Sequence, residues 1–421
     1  MTANTLSRPN AIINQRRVTT GIVLILIGLL MFLLFVRDTQ PGQQATFGMN
    51  LSSSVETIQI PDLVLPVQMS LYVLIFVVVF LGGWQIARGA QSTGWIVGAV
   101  SFCFVAAFLI WATKDHSFNL VGMLNSSLVR ATPIALAALC GVISERAAVV
   151  NIAIEGIMLM AALTAVISAT LAHSLVVGLI VAILTGGLVA AIHALLVIRF
   201  KVDQIVSGVA INIFGSGATS FISSRYLEKH IDLLNNSGTF QIIPIPLLAK
   251  IPVIGPVFFQ NNIIVYIMIL MVVIIHILLF YTPWGLRTRA VGEHPKAADT
   301  LGINVYFMRY INVILGGMVA GIGGAYFTIG SVGRFDQDMT AGKGFIGLAA
   351  MIFGKWNPFG AFSSSLIFGF ADSLQVKIQI LGVNIPSEFL QMAPYIVTMI
   401  VLTGLIGRAI PPAADGQPYE K

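Results

Sequence analysis

Runs of about twenty apolar residues recur along the whole chain, and each is long enough to cross the ~30 Å hydrocarbon core of a bilayer as a helix. Of the 421 residues, 57% are hydrophobic and 10% are charged, which is too little polar surface to cover a water-soluble globule. We therefore predict an all-α fold, a polytopic membrane protein with about 10–12 transmembrane helices that include broken or re-entrant segments. The twelve predicted segments are 18–36, 63–87, 94–112, 125–143, 152–171, 175–198, 204–222, 263–281, 310–330, 343–355, 359–381 and 392–407.

Two places do not fit a straight membrane-spanning helix. Segment 343–355 is short and glycine-rich, and the junction 144–155 is interrupted by charged residues. We predict that both are re-entrant or broken helices, which leaves the number of spans open by about two.

The distribution of basic residues predicts the orientation. Arg8, Arg16 and Arg17 precede the first segment, while Arg130 and Lys377 fall inside segments. With the N-terminus in the cytoplasm, the inner loops and tails hold about twice as many Lys and Arg residues as the outer loops. We therefore expect both termini to be cytoplasmic. The net charge of +6 fits this bias, so we expect no nucleic-acid partner.

The longest predicted outer loop, 223–262, contains the apolar and proline-rich string PIPLLAKIPVIGPVFFQ from Pro244. Because proline disfavours helix interiors, we expect no helix in this string and a segment that packs on the outer membrane surface. Its role stays open between a connector and a surface that receives a partner.

The sequence lacks the motifs of common enzymes. It has no G-x-x-x-x-G-K-[ST], no H-E-x-x-H and no G-x-S-x-G. Cys103 and Cys140 lie in apolar runs without metal-ligand spacing. We therefore expect no enzymatic activity, no catalytic residue, no cofactor and no metal site.

Four polar side chains inside apolar runs are candidates for a substrate pathway, because polar groups at membrane depth are expected to face a cavity or a protein contact. Asn151 and Glu155 are four residues apart, a spacing that places them on one helical face. Gln204 and Asn212 belong to a second stripe of polar and small residues on one helix. Helix packing explains this second stripe as well as substrate contact does.

Other polar or small residues are expected to be structural. Glu145 and Arg146 are adjacent and are predicted to anchor to other segments, and His193 is predicted to be a satisfied core histidine. The pattern Gly317-x-x-x-Gly321 is a helix-packing signature first.

The stretch from Thr282 to Asn304 is the longest polar interruption on the predicted cytoplasmic side. Pro295 at the first helical position, Lys296 to Leu301 as the body and Gly302 as the stop predict a helix of about two turns, ~10 Å long. A short helix lying across the inner face is suited to receiving force from a soluble partner.

Four long motifs in register resemble the permease subunits of bacterial ABC importers for nucleosides, a family that also includes ribose and branched-chain amino-acid permeases. They are SERAAVVNIAIEGIMLMAA from Ser144, KVDQIVSGVAIN from Lys201, GLRTRAVGEHPKAADTLGINV from Gly285 and AGKGFIGLAAMIFGKWNPFGA from Ala341.

The resemblance implies an all-α permease in the bacterial cytoplasmic (inner) membrane, which takes a nucleoside from an extracytoplasmic substrate-binding lipoprotein. It also implies a second permease, usually a different chain, and an ABC ATPase that is driven through a coupling helix at about residues 293–302. The residues that it assigns to coupling are Arg287, Arg289, Glu293, Pro295, Ala298, Leu301 and Gly302.

We divide the chain into an N-terminal extension with two additional transmembrane helices (1–93), a permease core (94–411) and a cytoplasmic tail (412–421). The two helices of the extension carry no charge and are expected to pack at the periphery. One alternative function is an ABC permease for ribose or another simple sugar. A second is a proton-coupled secondary transporter that uses Glu155, Asp203 or Asp372.

Overall fold

A computed structural model describes residues 8–51, 58–87, 93–380, 392 and 409–421. Within these residues, nine helices are long and apolar enough to cross a membrane, and Lys343–Phe353 is a shorter apolar helix. The predicted all-α, polytopic architecture is confirmed. The helices are α1 (Arg8–Met31), α2 (Val67–Ala87), α3 (Thr93–Ala112), α4 (Leu120–Glu145), α5 (Ile154–Ala172), α6 (Leu175–Ala194), α7 (Gln204–Ile222), α8 (Ile231–Leu234), α9 (Ile254–Phe258), α10 (Ile263–Tyr281), α11 (Pro283–Glu293), α12 (Pro295–Thr300), α13 (Val305–Phe327), α14 (Lys343–Phe353) and α15 (Pro358–Ile380).

Eleven of the twelve predicted segments coincide with these helices, while segment 392–407 lies outside the described residues apart from Met392. Both predicted interruptions are present. Residues 146–153 separate α4 from α5 without helical structure, and α14 begins only after the non-helical stretch 333–342.

Helix α4 forms the centre of the bundle. Its span is 83% buried, followed by 78% for the span that contains α13, whereas the spans of α1 and α2 are 28% and 22% buried. Helices α13, α14 and α15 pack around α4, and α5 packs between α6 and α7. The sequence reflects this arrangement, because α4 and α13 carry the small residues that allow neighbouring backbones to approach closely.

The crossing of α6 and α13 shows this close approach directly. A Cβ atom added at Gly317 would collide with the Cβ atom of Ala190 and with the backbone of Gly186, and one added at Gly321 would collide with the backbone of Ala182. The predicted packing role of Gly317 and Gly321 is confirmed.

The N-terminal part of the chain contains strands that the hydropathy pattern did not predict. Strand β1 (Gln44–Gly48) pairs antiparallel with β2 (Leu63–Pro66) and parallel with β3 (Ser117–Asn119). Helix α3 packs against α1 and α2 through a cluster that includes Phe35 and Ile110. The sheet thus links residues before α2 to the loop after α3.

The loop 223–262 is more ordered than predicted. Contrary to our expectation, the proline-rich string contains a short helix, α9, with Pro256 inside it. It also contains strand β4 (Ile243–Pro244), which pairs with β5 (Gln260–Asn261). Asn125 Nδ2 of α4 donates to the Pro256 carbonyl oxygen at 2.9 Å, so the string packs on one end of α4. We call this end of the bundle the 223–262 face.

The opposite end of the bundle carries α11, α12 and residues 409–421, and we call it the α12 face. The predicted short helix is present as α12, with Pro295 at its start. It ends at Thr300, and Gly302 follows with φ of +82°. This left-handed conformation costs glycine little, which explains the stop. Helix α11 directly precedes α12 and was not predicted as a separate helix.

Candidate functional site

The non-helical segment 146–153 lies against α6 and α7, and side chains of these helices satisfy its backbone. The Val150 N–H donates to Gln204 Oε1 at 2.6 Å, and the Val150 carbonyl oxygen is 3.1 Å from His193 Nε2. The other ring nitrogen of His193 is 3.0 Å from Ser207 Oγ. Irregular backbone at membrane depth needs such partners, because lipid supplies none. His193 is a satisfied core histidine, as predicted.

Asn212 bridges the same segment to the start of α5. Its Nδ2 donates to the Ile152 carbonyl oxygen and its Oδ1 accepts from the Gly156 N–H, both at 2.8 Å. The candidate pathway residues Gln204 and Asn212 therefore bind backbone groups of the broken segment. Their suggested contact with substrate stays a prediction.

Asn151 and Glu155 do not share a helical face, and this part of the prediction was wrong. Ala148 adopts a left-handed conformation (φ +61°), and helical structure resumes only at Ile154. Asn151 is buried, with Nδ2 donating to Cys140 Sγ at 3.6 Å. The Glu155 side chain lies instead at the first turn of α5.

Glu155 caps the N-terminus of α14. Its Oε1 accepts from Thr340 Oγ1 (2.6 Å) and from the Gly342 N–H (2.8 Å), and its Oε2 accepts from the Gly344 N–H (2.6 Å). A carboxylate is favoured here because the first N–H groups of a helix have no partner within the helix and the helix dipole is positive at this end. The starts of two broken helices, α5 and α14, thus meet at one carboxylate.

The stretch 333–342 connects the 223–262 face to this meeting point. Near its beginning, the Phe335 N–H donates to Asn235 Oδ1 at 2.6 Å. Farther along, Ser216 Oγ donates to Asp338 Oδ1 at 2.8 Å, and Ser216 lies in the middle of the span that contains α7. Asp338 is exposed, so polar irregular backbone reaches membrane depth on the surface of this chain. Such backbone is tolerated where it lines a cavity or a protein contact.

Three charged side chains lie together at the same depth. Asp372 Oδ2 on α15 is 3.1 Å from Arg130 Nη1 in the middle of α4 and 3.0 Å from Lys343 Nζ at the start of α14. The side chains of Arg130, Lys343 and Asp372 are 38%, 19% and 15% exposed. Arg130 and Lys343 were not predicted as site residues, although a charge inside an apolar segment is the signal that would have found them.

The other end of α14 is fixed to the end of α4. Trp356 Nε1 donates to Glu145 Oε2 at 2.5 Å, and Arg146 donates to the carbonyl oxygens of Trp356 (3.0 Å) and Lys355 (3.3 Å). The prediction that Glu145 and Arg146 anchor to another segment is confirmed.

The predicted coupling residues lie on α11, α12 and the turn that follows, and they differ in exposure. Leu301 is 82% exposed, and Arg287, Glu293 and Gly302 are also exposed. In contrast, Ala298 is buried against a small cluster under α12. The remaining two, Arg289 and Pro295, are half-buried, and the Arg289 guanidinium lies 5.2 Å from the centre of the Phe280 ring. An exposed leucine at the end of a short helix that also exposes Lys296 and Thr300 suits the α12 face to docking.

Residues 409–421 lie across the α12 face. The Ala414 N–H donates to the Gly292 carbonyl oxygen (3.0 Å), and Arg309 Nη1 donates to the Gln417 carbonyl oxygen (2.9 Å). Burial raises the pKa of Asp415 to about 6, and a hydrogen bond with Glu145 and the charge of Arg309 act in the opposite direction. Two ion pairs complete the attachment: Lys201–Glu420 at 2.5 Å and Lys421–Asp299 at 3.7 Å.

The fold and site define a membrane permease built around broken helices. A family model described as "Branched-chain amino acid transport system / permease component" matches residues 122–407, and the chain belongs to this family. It is a subunit for transport, not an enzyme.

Among known relatives, the chain is 44% identical over 308 residues to the guanosine ABC transporter permease protein NupQ of Bacillus subtilis. The aligned residues cover 70% of this chain and 95% of NupQ. The chain is 42% identical over 304 residues to the nucleoside ABC transporter permease protein NupC of Lactococcus lactis, with the same two coverages. A putative glucose ABC transporter permease protein of Haloferax volcanii, TsgC13, is 35% identical over 261 residues, 62% of this chain and 79% of TsgC13.

A more distant relative is also a nucleoside ABC transporter permease protein. NupB of Lactococcus lactis is 23% identical over 291 residues, 65% of this chain and 79% of NupB. No solved structure matches the chain.

Proposed function

We propose that this chain is a permease subunit of an ATP-driven ABC importer for nucleosides in the bacterial cytoplasmic membrane. The observation that carries the proposal is the 44% identity to a guanosine permease over 95% of that protein's length. The broken helices of the bundle suit transport, because irregular backbone at membrane depth is where transporters of other folds bind their substrates.

The α12 face is proposed to be cytoplasmic and to bind the ATPase. Helix α12 is short and exposed, and the side chain of Leu301 projects from its end. An exposed apolar side chain among polar neighbours suits insertion into a groove of a soluble partner. The 223–262 face would then receive nucleoside from an extracytoplasmic binding lipoprotein.

The second permease of the complex is proposed to be a different chain. Lactococcus lactis has two nucleoside permease proteins, and this chain is 42% identical to NupC but only 23% identical to NupB. A pair of unequal relatives within one organism supports a heterodimer in which this chain takes the position of NupC.

Uptake measurements test the substrate. Cells that express the complete transporter are expected to accumulate radiolabelled guanosine or uridine, and deletion of this permease should abolish that uptake. An excess of unlabelled nucleoside should compete, whereas free ribose or glucose should not. The similarity to TsgC13 keeps a simple-sugar permease as the second candidate. Competition by free sugar together with no nucleoside uptake would favour it.

A proton-coupled secondary transporter is a weaker candidate, because its proposed proton carriers already have partners. Asp203 Oδ1 caps α7 by accepting from the N–H groups of Ile205 and Val206, both at 2.9 Å. Glu155 caps α14, and Asp372 pairs with two cations. Uptake by this chain alone in vesicles without ATP would support it.

A further inference from the structure

The cluster of Arg130, Lys343 and Asp372 lies where charges are costly. A charged side chain at the centre of a transmembrane helix costs roughly 2.5–3.5 kcal/mol on insertion scales, so such residues face a polar cavity or another protein surface rather than lipid. The cluster is partly exposed on this chain, with 38% of the Arg130 side chain accessible. Something polar must therefore cover it in the membrane.

The charges around the start of α14 are balanced. Lys343 is the first residue of α14, and Glu155 binds the N–H groups of the residues on either side of it. Two cations, Arg130 and Lys343, thus stand beside two carboxylates, Asp372 and Glu155. A balanced group of charges favours an uncharged polar molecule over an anion or a cation, because neither ion would meet an excess of opposite charge.

Asp372 has an acceptor to offer such a molecule. Both cations bind its Oδ2 atom, at 3.1 and 3.0 Å. Among the described residues, none donates a hydrogen bond to its Oδ1 atom. A carboxylate oxygen beside Lys and Arg donors can bind a pair of neighbouring hydroxyl groups, accepting from one and leaving the cations to donate to the other.

We propose that Arg130, Lys343 and Asp372 form a subsite for vicinal hydroxyl groups, which binds the ribose of a nucleoside as it passes through the permease. This subsite rests on the proposed function, nucleoside import, and adds that the ribose hydroxyl groups are the part of the nucleoside bound here. Asp372 Oδ1 accepts from one ribose hydroxyl, and Lys343 and Arg130, which also bind Asp372 Oδ2, donate to the neighbouring hydroxyl.

Transport of nucleosides with and without these hydroxyls tests the subsite. The complete transporter in proteoliposomes is supplied with uridine or with 2′,3′-dideoxyuridine, each at a concentration that saturates the binding protein, so that the ratio of the two rates reports transfer through the permease. The wild-type complex is expected to favour uridine about tenfold or more, the range for loss of a hydrogen bond to a charged group.

Asp372→Asn should lower this ratio, mainly by slowing uridine, because a neutral amide oxygen accepts a weaker hydrogen bond than a carboxylate and no longer pairs with the two cations. Asp372→Glu, which keeps the charge, should retain part of the preference. Ser363→Ala is the matched control on α15, because within the described part of the chain the exposed Ser363 hydroxyl bonds only to the Phe359 carbonyl oxygen of its own helix. This variant should leave the ratio unchanged.

Three results would overturn the subsite. One is equal transport of both nucleosides by the wild-type complex, which needs no variant. A second is an unchanged ratio in Asp372→Asn. The third is loss of the second permease from purified complexes of Asp372→Asn and Asp372→Glu, which would assign the cluster to the interface between permeases. A wild-type complex that transports no nucleoside would instead overturn the proposed function, and the subsite with it.

Discussion

Gly344 lies so close to Glu155 that residue 344 has no room for a side chain. The Gly344 N–H donates to Glu155 Oε2 at 2.6 Å, and a Cβ atom at residue 344 would lie 2.7 Å from the Glu155 Cα atom. The start of α14 therefore depends on a glycine and a carboxylate that are distant in sequence.

The first prediction concerns this cap. Glu155→Ala removes the acceptor of three hydrogen bonds and should weaken both the cap and uptake, at a cost of about 1–3 kcal/mol for each buried group left unpaired. Glu155→Gln keeps one acceptor oxygen and should be milder. Gly344→Ala should resemble Glu155→Ala because it displaces the same carboxylate. Thermal unfolding of the purified complex in detergent and nucleoside uptake measure both effects. Wild-type stability in Gly344→Ala would contradict the close fit.

The second prediction separates packing from substrate contact on α7. Asn212→Ala leaves the Ile152 carbonyl oxygen and the Gly156 N–H without their partner, so the melting temperature of the protein should fall. Ser216→Ala on the same helix loses one bond to the exposed Asp338 and should change stability little. Normal stability with reduced uptake in Asn212→Ala would favour substrate contact instead.

A third prediction addresses the ATPase. Leu301→Ser should abolish the ATPase stimulation that loaded binding protein produces, without lowering membrane levels, because Leu301 is 82% exposed. Leu301→Met keeps the apolar surface and serves as the control. Arg287→Glu, at an exposed position, should weaken coupling as well. Ala298→Pro should abolish uptake, since proline would break a two-turn helix. Full stimulation in Leu301→Ser would show that α12 does not couple the subunits.

The fourth prediction is a pH dependence of residues 409–421. The pKa of Asp415 is raised from its usual 3.8 to about 6, so folding of this segment favours the protonated carboxyl. The contribution of Asp415 to the attachment of residues 409–421 is therefore fully present below about pH 4 and is lost as the pH rises through about 6. The charged or titratable groups that act on it are Glu145 and Arg309.

Hydrogen-exchange protection factors of residues 409–421, measured at pH 5 and pH 7.5, report this attachment. At each pH, the protection factor of the wild-type protein is divided by that of Asp415→Asn. The ratio should show greater protection of the wild-type segment at pH 5. A ratio that is the same at both pH values would exclude Asp415 as the titrating group.

The fifth prediction concerns the N-terminal extension. Deletion of residues 1–91 removes an even number of spans and should leave the orientation of the rest unchanged. Uptake should persist, because α1 and α2 pack mainly against each other and against α3. Stability should fall, since β3 loses its partner β1 and α3 loses its apolar cluster. Correct assembly without uptake would show that the extension takes part in transport.

The hydropathy pattern was sufficient for the long apolar helices, because a bilayer requires such segments and fixes their length. Proline and glycine likewise located α12, since their backbone preferences are local. The strands β1 to β3 were missed because each is only three to five residues long. The charges of Glu145 and Arg146 indicated a break near Ala148, but no proline or glycine beside Ala148 indicates its left-handed backbone conformation. Its left-handed conformation is imposed by packing.

The site was harder to predict because its contacts join distant parts of the chain. Glu155 was selected from the sequence, but its partners Thr340 and Gly344 lie 185 and 189 residues away. Arg130 and Asp372 are separated by 242 residues. A single sequence reveals that each charge is out of place in lipid, yet it does not reveal which charges meet.

Helix α14 is a rigid rod with a different attachment at each end. Its 11 residues span about 16 Å. One end carries Lys343 and the contact with Glu155, and the other leads to Trp356 and the contact with Glu145 beside the α12 face. Because a helix of this length barely stretches or bends, a displacement of Trp356 that moves the end of α14 would shift Lys343 by a similar distance. Helix α14 would thereby act as a piston between the α12 face, which we propose binds the ATPase, and the charges at membrane depth.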